Sequence, residues 1–210
     1  MKNVSPTKTA VSSSVCITNW GATKEEMNLH LPGEEFLTNP EIATTQAITI
    51  NARPEQIWPW LVQIGQGRGG FYSHSFLENL IGCHVKNVTE IRPELQNLKV
   101  GDEIKLHPKA PGLRVNVCDP HHTLAMDGWI FHLIPMGPCK TRLISRTYQF
   151  QDFEMNGIMS AIFELAHFIM GRKQLIEIKR LVEEQASSFC VSDVLTNENK
   201  RRMAGEVNHG

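Results

Sequence analysis

Two residues near the C-terminus have the types and spacing of an acid–base pair. Glu164 and His167 are three positions apart, so that in a helix they share one face. A carboxylate beside an imidazole can exchange protons with a bound molecule, and burial displaces the pKa values of both groups. The pattern therefore favours an acid–base site, provided that this face points into the protein.

The rest of the helical pattern decides where that face points. The face continues at helical spacing through small, polar and then apolar residues: Ser160, Glu164, His167, Gly171, Leu175, Ile178 and Val182. The opposite side is charged: Lys173, Glu177, Arg180 and Glu184. Because the apolar face of a surface helix packs on the core, a straight helix directs Glu164 and His167 inward.

An alternative follows from the apolar back of the same half of the helix: Ile158, Met159, Ile162, Leu165 and Ile169. A break at Gly171 would turn this back inward and leave Glu164 and His167 in solvent. An unbroken helix would instead need a cover for its apolar back. That cover is predicted to be the N-terminal segment or a second subunit, so a homodimer is a further expectation.

A second group of candidates surrounds the glycine-rich stretch GQGRGG. His74 and Glu78 are four positions apart on a helix expected to begin near Ser73, where they form either a catalytic pair or a surface salt bridge. Arg68, flanked by glycines, either binds an anionic group of a ligand or lies solvated in a tight turn. Tyr72, His74 and Arg68 are accordingly candidates for proton transfer and anchoring, with Glu78 as a further ligand contact.

Three other large side chains are candidates for contact with a ligand. Trp60 lies on the apolar side of a helix that Pro54 is expected to open. Trp129 alternates with Phe131 on a strand, so it lines either the core or a cavity. Arg146 lies on the following strand and is either a ligand anchor or an ion-pair partner on the outer face.

Familiar cofactor and metal motifs are not supported by their context. Gly65, Gly67 and Gly70 satisfy GxGxxG, but the fingerprint needs a strand directly before it, and the preceding residues have a helical pattern. The nine histidines are scattered without a metal-ligand spacing. The five cysteines contain no CxxC, which suits neither a disulfide framework nor structural zinc. No cofactor and no metal are therefore expected.

Composition narrows the class of protein. The chain has 210 residues, of which 41% are hydrophobic, enough to bury a sizeable core. Its 21 basic and 22 acidic residues give a formal charge of −1, which disfavours nucleic acid or an anionic membrane as the partner. No stretch approaches the roughly 20 apolar residues of a membrane span, and the N-terminus has no apolar signal region. A soluble protein of the reducing cytoplasm is the expectation.

The elements that must position these residues follow from the pattern. A strand from Thr45 precedes two short helices. Short β-rich pieces separated by Pro-Gly, Asp-Gly and Gly-Pro predict an antiparallel meander, and one long helix from about Met155 to Gln185 closes the domain. Separate runs of helices and strands are typical of an α+β domain, expected at residues 19–188 between a disordered segment at 1–18 and a flexible tail at 189–210.

The segment TTQAITINARPEQIWPWLVQIGQGRGGFYSHSFLENLIG, residues 44–82, resembles the SRPBCC superfamily of START, birch-pollen-allergen and polyketide-cyclase-like proteins. The likeness continues through LQNLKVGDEIKLHP, WIFHLIP, TRLISR and HFIMGRKQLIEIKR. The sequence departs from the pattern at Leu165, in place of a usual proline, and at Gly171, in place of a usual acidic residue.

The resemblance implies a helix-grip fold, in which a curved antiparallel sheet wraps around the long C-terminal helix. Such proteins bind hydrophobic molecules in an internal cavity, and some catalyse cyclisation or dehydration without a cofactor. The resemblance brings no settled set of catalytic residues. It therefore predicts binding of a small hydrophobic ligand, either by a cofactor-independent cyclase, dehydratase or isomerase of polyketide-like specialised metabolism, or by a non-catalytic carrier or partner-binding module.

Overall fold

The computed structural model describes residues 19–38, 42–73, 87–108, 111–148 and 165–186. The described α-helices include α1 (Lys24–Asn28) and α2 (Pro54–Val62). The strands are β1 (Asn19–Trp20), β2 (Ile42–Ile50), β3 (Glu103–Lys105), β4 (Gly112–Asp119), β5 (Thr123–Met126), β6 (Trp129–Gly137) and β7 (Lys140–Tyr148). Residues 165–186 form one continuous helix, α3.

All the described strands belong to one seven-stranded sheet with the order β1-β2-β7-β6-β5-β4-β3. Neighbouring strands are antiparallel, except that the short β1 pairs with β2 in parallel. Register shifts interrupt β2, β4 and β6, and bulges of this kind bend a sheet. The predicted α+β helix-grip architecture, a curved antiparallel sheet with a long C-terminal helix, is confirmed.

The side chains of β6 and β7 alternate between two faces of this sheet. The inner face, represented by Phe131 and Leu143, packs with α2 and α3 in the main core. The outer face, represented by Ile130 and Ile144, forms a second, smaller core. The N-terminal segment, residues 21–37, covers the outer face and contributes Leu31 to that second core. The two faces therefore have different covers and separate apolar interiors.

The helix α3 lies against the inner face and runs alongside β2 in the same direction. Gln46 Nε2 donates to the carbonyl of Phe168 at 3.0 Å in the middle of β2, and Lys179 Nζ donates to the carbonyl of Thr49 at 2.7 Å further along. The sheet-facing residues of α3 are fully buried, as the charge pattern predicted: Leu175, Ile178 and Val182. Among the described helices, none combines the length and the apolar character that crossing a membrane requires.

Sequence and structure differ in detail at the start of the domain. The strand expected from Thr45 begins at Ile42. The helix α2 begins at Pro54, as expected, because proline fixes the backbone angle of a first turn and has no amide hydrogen to leave unsatisfied. It also continues through Pro59 to Val62. The second short helix, expected after Ser73, lies in residues 74–86, outside the described residues.

The cysteines differ from expectation at one position. Cys118 is a free thiol, whereas Cys139, in the turn between β6 and β7, is disulfide-bonded. The spacing of the cysteines gave no sign of a disulfide, because distance along the chain does not report which thiols meet in space.

Candidate functional site

The inner face of the sheet becomes polar at one end. Along β7 the inward residues change from Leu143, which is fully buried and apolar, to Ser145 and Thr147, which carry hydroxyl groups. The strand pairings add Gln46, opposite Ser145, and Thr44, opposite Thr147. Trp129 lies opposite Thr147 on the other side, on β6. We call this group the inner polar patch: Thr44, Gln46, Trp129, Ser145 and Thr147.

Trp129 forms one wall of the inner polar patch. Its Nε1 donates to Ser145 Oγ at 3.2 Å, and its ring packs against Phe131 with 4.8 Å between ring centroids. The structure thus places Trp129 on the inner face, in contact with both the apolar core and the polar end. Thr147 is only 8% exposed, and its Oγ1 has no hydrogen-bond partner among the described residues.

The helix α3 approaches the inner polar patch closely at Gly171. A Cβ atom at this position would lie 2.8 Å from Gln46 Oε1. Glycine therefore allows the helix to pack closely against β2 while Gln46 donates to the Phe168 carbonyl. A helix rises about 1.5 Å per residue and a strand about 3.3 Å. One helical turn back from Gly171, at His167, is about as long as two strand residues back from Gln46, so His167 lies toward the Thr44 end of β2.

His167 occupies an environment that favours the neutral imidazole. Burial lowers the pKa of His167 below its ordinary value, because the protein replaces water that would stabilise the charged ring. The imidazole is consequently neutral at pH 7 and can accept a proton. His167 lies on the stripe of α3 that leads to the buried Leu175 and Ile178, beside the polar end of the sheet.

The described part of α3 continues through Gly171 without a break, as the straight-helix alternative requires. Leu165 is 49% exposed and Ile169 is 41% exposed, so the apolar back faces outward as a straight helix requires. Glu164 itself lies outside the described residues, and its pairing with His167 stays a prediction. The expected homodimer, which would cover the apolar back, also stays a prediction.

The glycine-rich loop that follows α2 places Trp60 and Tyr72 together. Their rings meet edge to face with 5.7 Å between centroids, and Gln63 Nε2 donates to Tyr72 Oη at 2.6 Å. Burial raises the pKa of the Tyr72 phenol, outweighing the hydrogen bond from Gln63, so the phenol stays protonated at neutral pH. Tyr72 can therefore donate a hydrogen bond but does not act as a base. Near it, Trp60 Nε1 and Ser73 Oγ are buried without partners among the described residues.

Arg68 braces the loop. Its Nη2 donates to the carbonyl of Val62 at 2.9 Å and to that of Leu95 at 3.1 Å, and the side chain is half-buried. Burial lowers the pKa of the guanidinium, while the charge of Asp102 acts in the opposite direction. These contacts favour a structural role over both sequence interpretations, the anion anchor and the solvated turn residue.

The GxGxxG stretch lacks the setting of a dinucleotide site. It follows the helix α2 rather than a strand, and its ends bond to each other, since Gly65 N donates to Gly70 O at 2.9 Å and Gly70 N to Gly65 O at 3.2 Å. Gly69 N is also occupied, by the Gln63 carbonyl at 2.7 Å. Amides committed in this way cannot cradle a phosphate. His74 and Glu78, beyond the loop, lie outside the described residues.

Arg146 lies on the outer face, away from the inner polar patch. It is 1% exposed and pairs with Glu34, with 2.5 Å between Nη1 and Oε1. Its other donors bond to Thr45 Oγ1 and to carbonyls of the N-terminal segment: those of Glu26, Met27 and Leu29. The structure therefore corrects the ligand-anchor interpretation of Arg146 in favour of the ion pair, because its donors are engaged on the side of the sheet opposite Trp129.

Sequence reasoning missed several residues that organise this site. Ser145 and Thr147 could have been found, because alternation along β7 places both on the same face as Leu143. Gln63 gave no such signal, although its side chain links Tyr72 to the carbonyl of Glu90 and the amide of Arg92. Within the described ranges, no cluster of three or more His, Cys, Asp or Glu side chains could hold a metal ion.

Comparisons with known proteins add a structural likeness. No protein-family model and no curated protein matches the sequence. A polyketide-cyclase-like protein from Corynebacterium glutamicum, solved by solution NMR, is 16% identical, and the match covers 72% of this chain and 98% of that one with a TM-score of 0.37. A likeness this weak carries no conclusion about the ligand or activity of the chain.

Proposed function

We propose that this chain binds a small, largely apolar molecule between the inner face of its sheet and α3. The observation that carries the proposal is the change along β7 from the apolar Leu143 to the hydroxyl-bearing Ser145 and Thr147, beneath the stripe of α3 that contains His167. A core that served stability alone would be apolar at this place, because a buried polar group without a partner destabilises the fold. Ligand sites, by contrast, combine apolar walls with a few polar groups.

The proposed activity is a cofactor-independent cyclisation, dehydration or isomerisation, in line with the resemblance to polyketide-cyclase-like proteins. His167, held neutral by burial, accepts a proton from the bound molecule. Glu164, three positions earlier in the sequence, is the proposed partner of the protonated imidazole. Tyr72 remains a hydrogen-bond donor, and Trp129 supplies an apolar wall that keeps the molecule folded for reaction.

A carrier without catalytic activity is the second candidate. It is favoured by the engagement of other polar side chains in the fold: Arg68 bonds to two carbonyls, and Arg146 lies on the outer face. In a carrier, His167 and the inner polar patch fix the orientation of the ligand and change none of its bonds.

Native mass spectrometry of the protein from its own host tests the proposal. The intact protein is weighed, then denatured, and any released small molecule is identified. A defined apolar compound supports binding, and its conversion by fresh protein separates the enzyme from the carrier, which returns it unchanged. A protein that is empty from its host, and that stays empty when equilibrated with the host's lipophilic extract, contradicts the proposal.

A further inference from the structure

One hydroxyl group of the inner face differs from its neighbours. The inward residues of β7 include three with hydroxyl groups, and two of these are engaged: Thr141 Oγ1 donates to the carbonyl of Ala52 at 2.7 Å, and Ser145 Oγ accepts from Trp129 at 3.2 Å. Thr147 Oγ1 is buried, and no described residue bonds to it. Since a buried hydroxyl normally finds a partner, the partner of Thr147 is to be sought in the bound molecule.

Thr147 lies at the end of the inner face where His167 is proposed to act as a base. Thr147 pairs across the sheet with Thr44 on one side and with Trp129 on the other. Gln46 contacts Phe168 and Gly171, and α3 runs in the same direction as β2, so His167 lies toward the Thr44 end of the strand. A group of the ligand bound by Thr147 therefore lies at the His167 end of the site.

The side chains around Thr147 favour a neutral oxygen atom of the ligand over a charged one. A threonine hydroxyl both donates and accepts, so it can bind a carbonyl or a hydroxyl group. A carboxylate would need a cation nearby, but Arg146 is paired with Glu34 on the outer face, and the guanidinium of Arg172 lies over the Trp20 ring at 5.2 Å. The neutral His167 adds no positive charge at pH 7.

We infer that Thr147 anchors the ligand through a neutral carbonyl or hydroxyl oxygen, so that the molecules bound here are apolar compounds with such an oxygen at the His167 end. This inference rests on the proposed function, because it concerns the same interior site. It adds a specificity-determining residue and a ligand class that the overall fold does not provide.

Two probes of matched shape test the inference. In 2-acetylnaphthalene a carbonyl oxygen occupies the place that a methylene group occupies in 2-isopropenylnaphthalene. Their dissociation constants are measured with the full-length protein by quenching of its tryptophan fluorescence. The wild-type protein is expected to bind the ketone roughly fivefold more tightly than the hydrocarbon, after correction for the difference in transfer from water.

Substitutions at Thr147 show whether this residue provides the preference. Thr147→Val keeps the shape and removes the hydroxyl, so it is expected to abolish the preference for the ketone and to leave hydrocarbon binding unchanged. Thr147→Ser is expected to retain the preference. Thr141→Val is the matched control, because it removes an inner-face hydroxyl that is bonded to the backbone, and it too should retain the preference.

An infrared measurement on the wild-type protein covers the case in which Thr147→Val does not fold. A hydrogen bond to the bound ketone lowers its carbonyl stretching frequency relative to a hydrocarbon solvent, and the inference requires this shift. If the ketone binds without the shift, or if Thr147→Val keeps the full preference, the inference is wrong while the proposed function stands. If neither probe binds, the proposed function itself is contradicted.

Discussion

Arg146 and Glu34 form an ion pair of 2.5 Å on the outer face of the sheet, beneath the N-terminal segment. Tyr148 Oη donates to the same carboxylate. Burial alone would raise the pKa of Glu34, but the hydrogen bonds from Tyr148 and Arg146 together hold it below its ordinary value. The pair joins a segment at the start of the domain to the last described strand, on the side of the sheet away from the candidate site.

Removal of Glu34 tests the structural role of this pair. Glu34→Ala leaves the guanidinium of Arg146 buried without its counter-charge, which is expected to lower the free energy of unfolding by about 3–5 kcal/mol. Glu184→Ala is the control, because it breaks an exposed pair with Arg180 and should cost less than about 1 kcal/mol. Urea denaturation measures both values. Equal losses in the two variants would contradict the account of the outer face.

The packing of the N-terminal segment can be tested with two glycines that share an unusual backbone conformation. Gly33 and Gly101 have φ values of 106° and 94°. A Cβ at Gly33 would lie 2.4 Å from the Cβ of Ala125, whereas a Cβ at Gly101 meets nothing within 4 Å. Gly33→Ala is therefore expected to cost about 2 kcal/mol more than Gly101→Ala in thermal or urea unfolding. A similar cost for both would show that the segment does not pack tightly on β5.

The pH dependence of stability follows from the lowered pKa of His167. The unfolded chain binds a proton at the ordinary histidine pKa of about 6.5, whereas the folded protein resists protonation to a lower pH. Stability is then complete above about pH 6.5 and falls as the pH drops from there toward the folded-state pKa. His132 on the outer face acts with the same sign, because burial lowers its pKa also.

Variants separate the two histidines. In a His132→Asn background, His167→Gln is expected to flatten the remaining loss of stability below about pH 6.5. NMR titration of the imidazole of His167 should give a midpoint below about 6.5. A midpoint at or above that value would contradict the account in which burial disfavours the charged imidazole.

Catalysis, if the recovered compound is converted, should depend on the acid–base pair. His167→Ala and Glu164→Gln are expected to reduce turnover by roughly a hundredfold while binding survives. His132→Ala is the control, because His132 bonds to Thr123 Oγ1 on the outer face. Full activity in both variants would overturn the site assignment. A carrier would instead return its ligand unchanged and lose affinity on Trp129→Ala.

Local patterns predicted much of the fold. Alternation along β6 and β7 placed Trp129 with Phe131 and apart from His132, as the structure has them. The charged side of α3 predicted the burial of Leu175 and Ile178, because one face of a helix must be apolar where it packs. These inferences succeed because each depends only on the spacing of residue types within a single strand or helix.

Contacts between distant parts of the chain could not be predicted in this way. Arg146 and Glu34 are 112 positions apart, and the sequence does not show that residues 21–37 cover the outer face. Arg68 bonds to Leu95 across 27 positions, so its role as a brace was equally hidden. The sequence offered anchoring roles for both arginines because their partners become neighbours only after folding.

The central claim, that an apolar molecule binds on the inner face, is tested most directly by NMR with bound 2-acetylnaphthalene. Intermolecular nuclear Overhauser effects report which side chains lie within about 5 Å of the probe. The account predicts contacts to inward side chains, Trp129, Thr147 and Ile48, and none to their outward neighbours Ile130 and Ile144. Contacts to the outward residues, or to neither set, would contradict it.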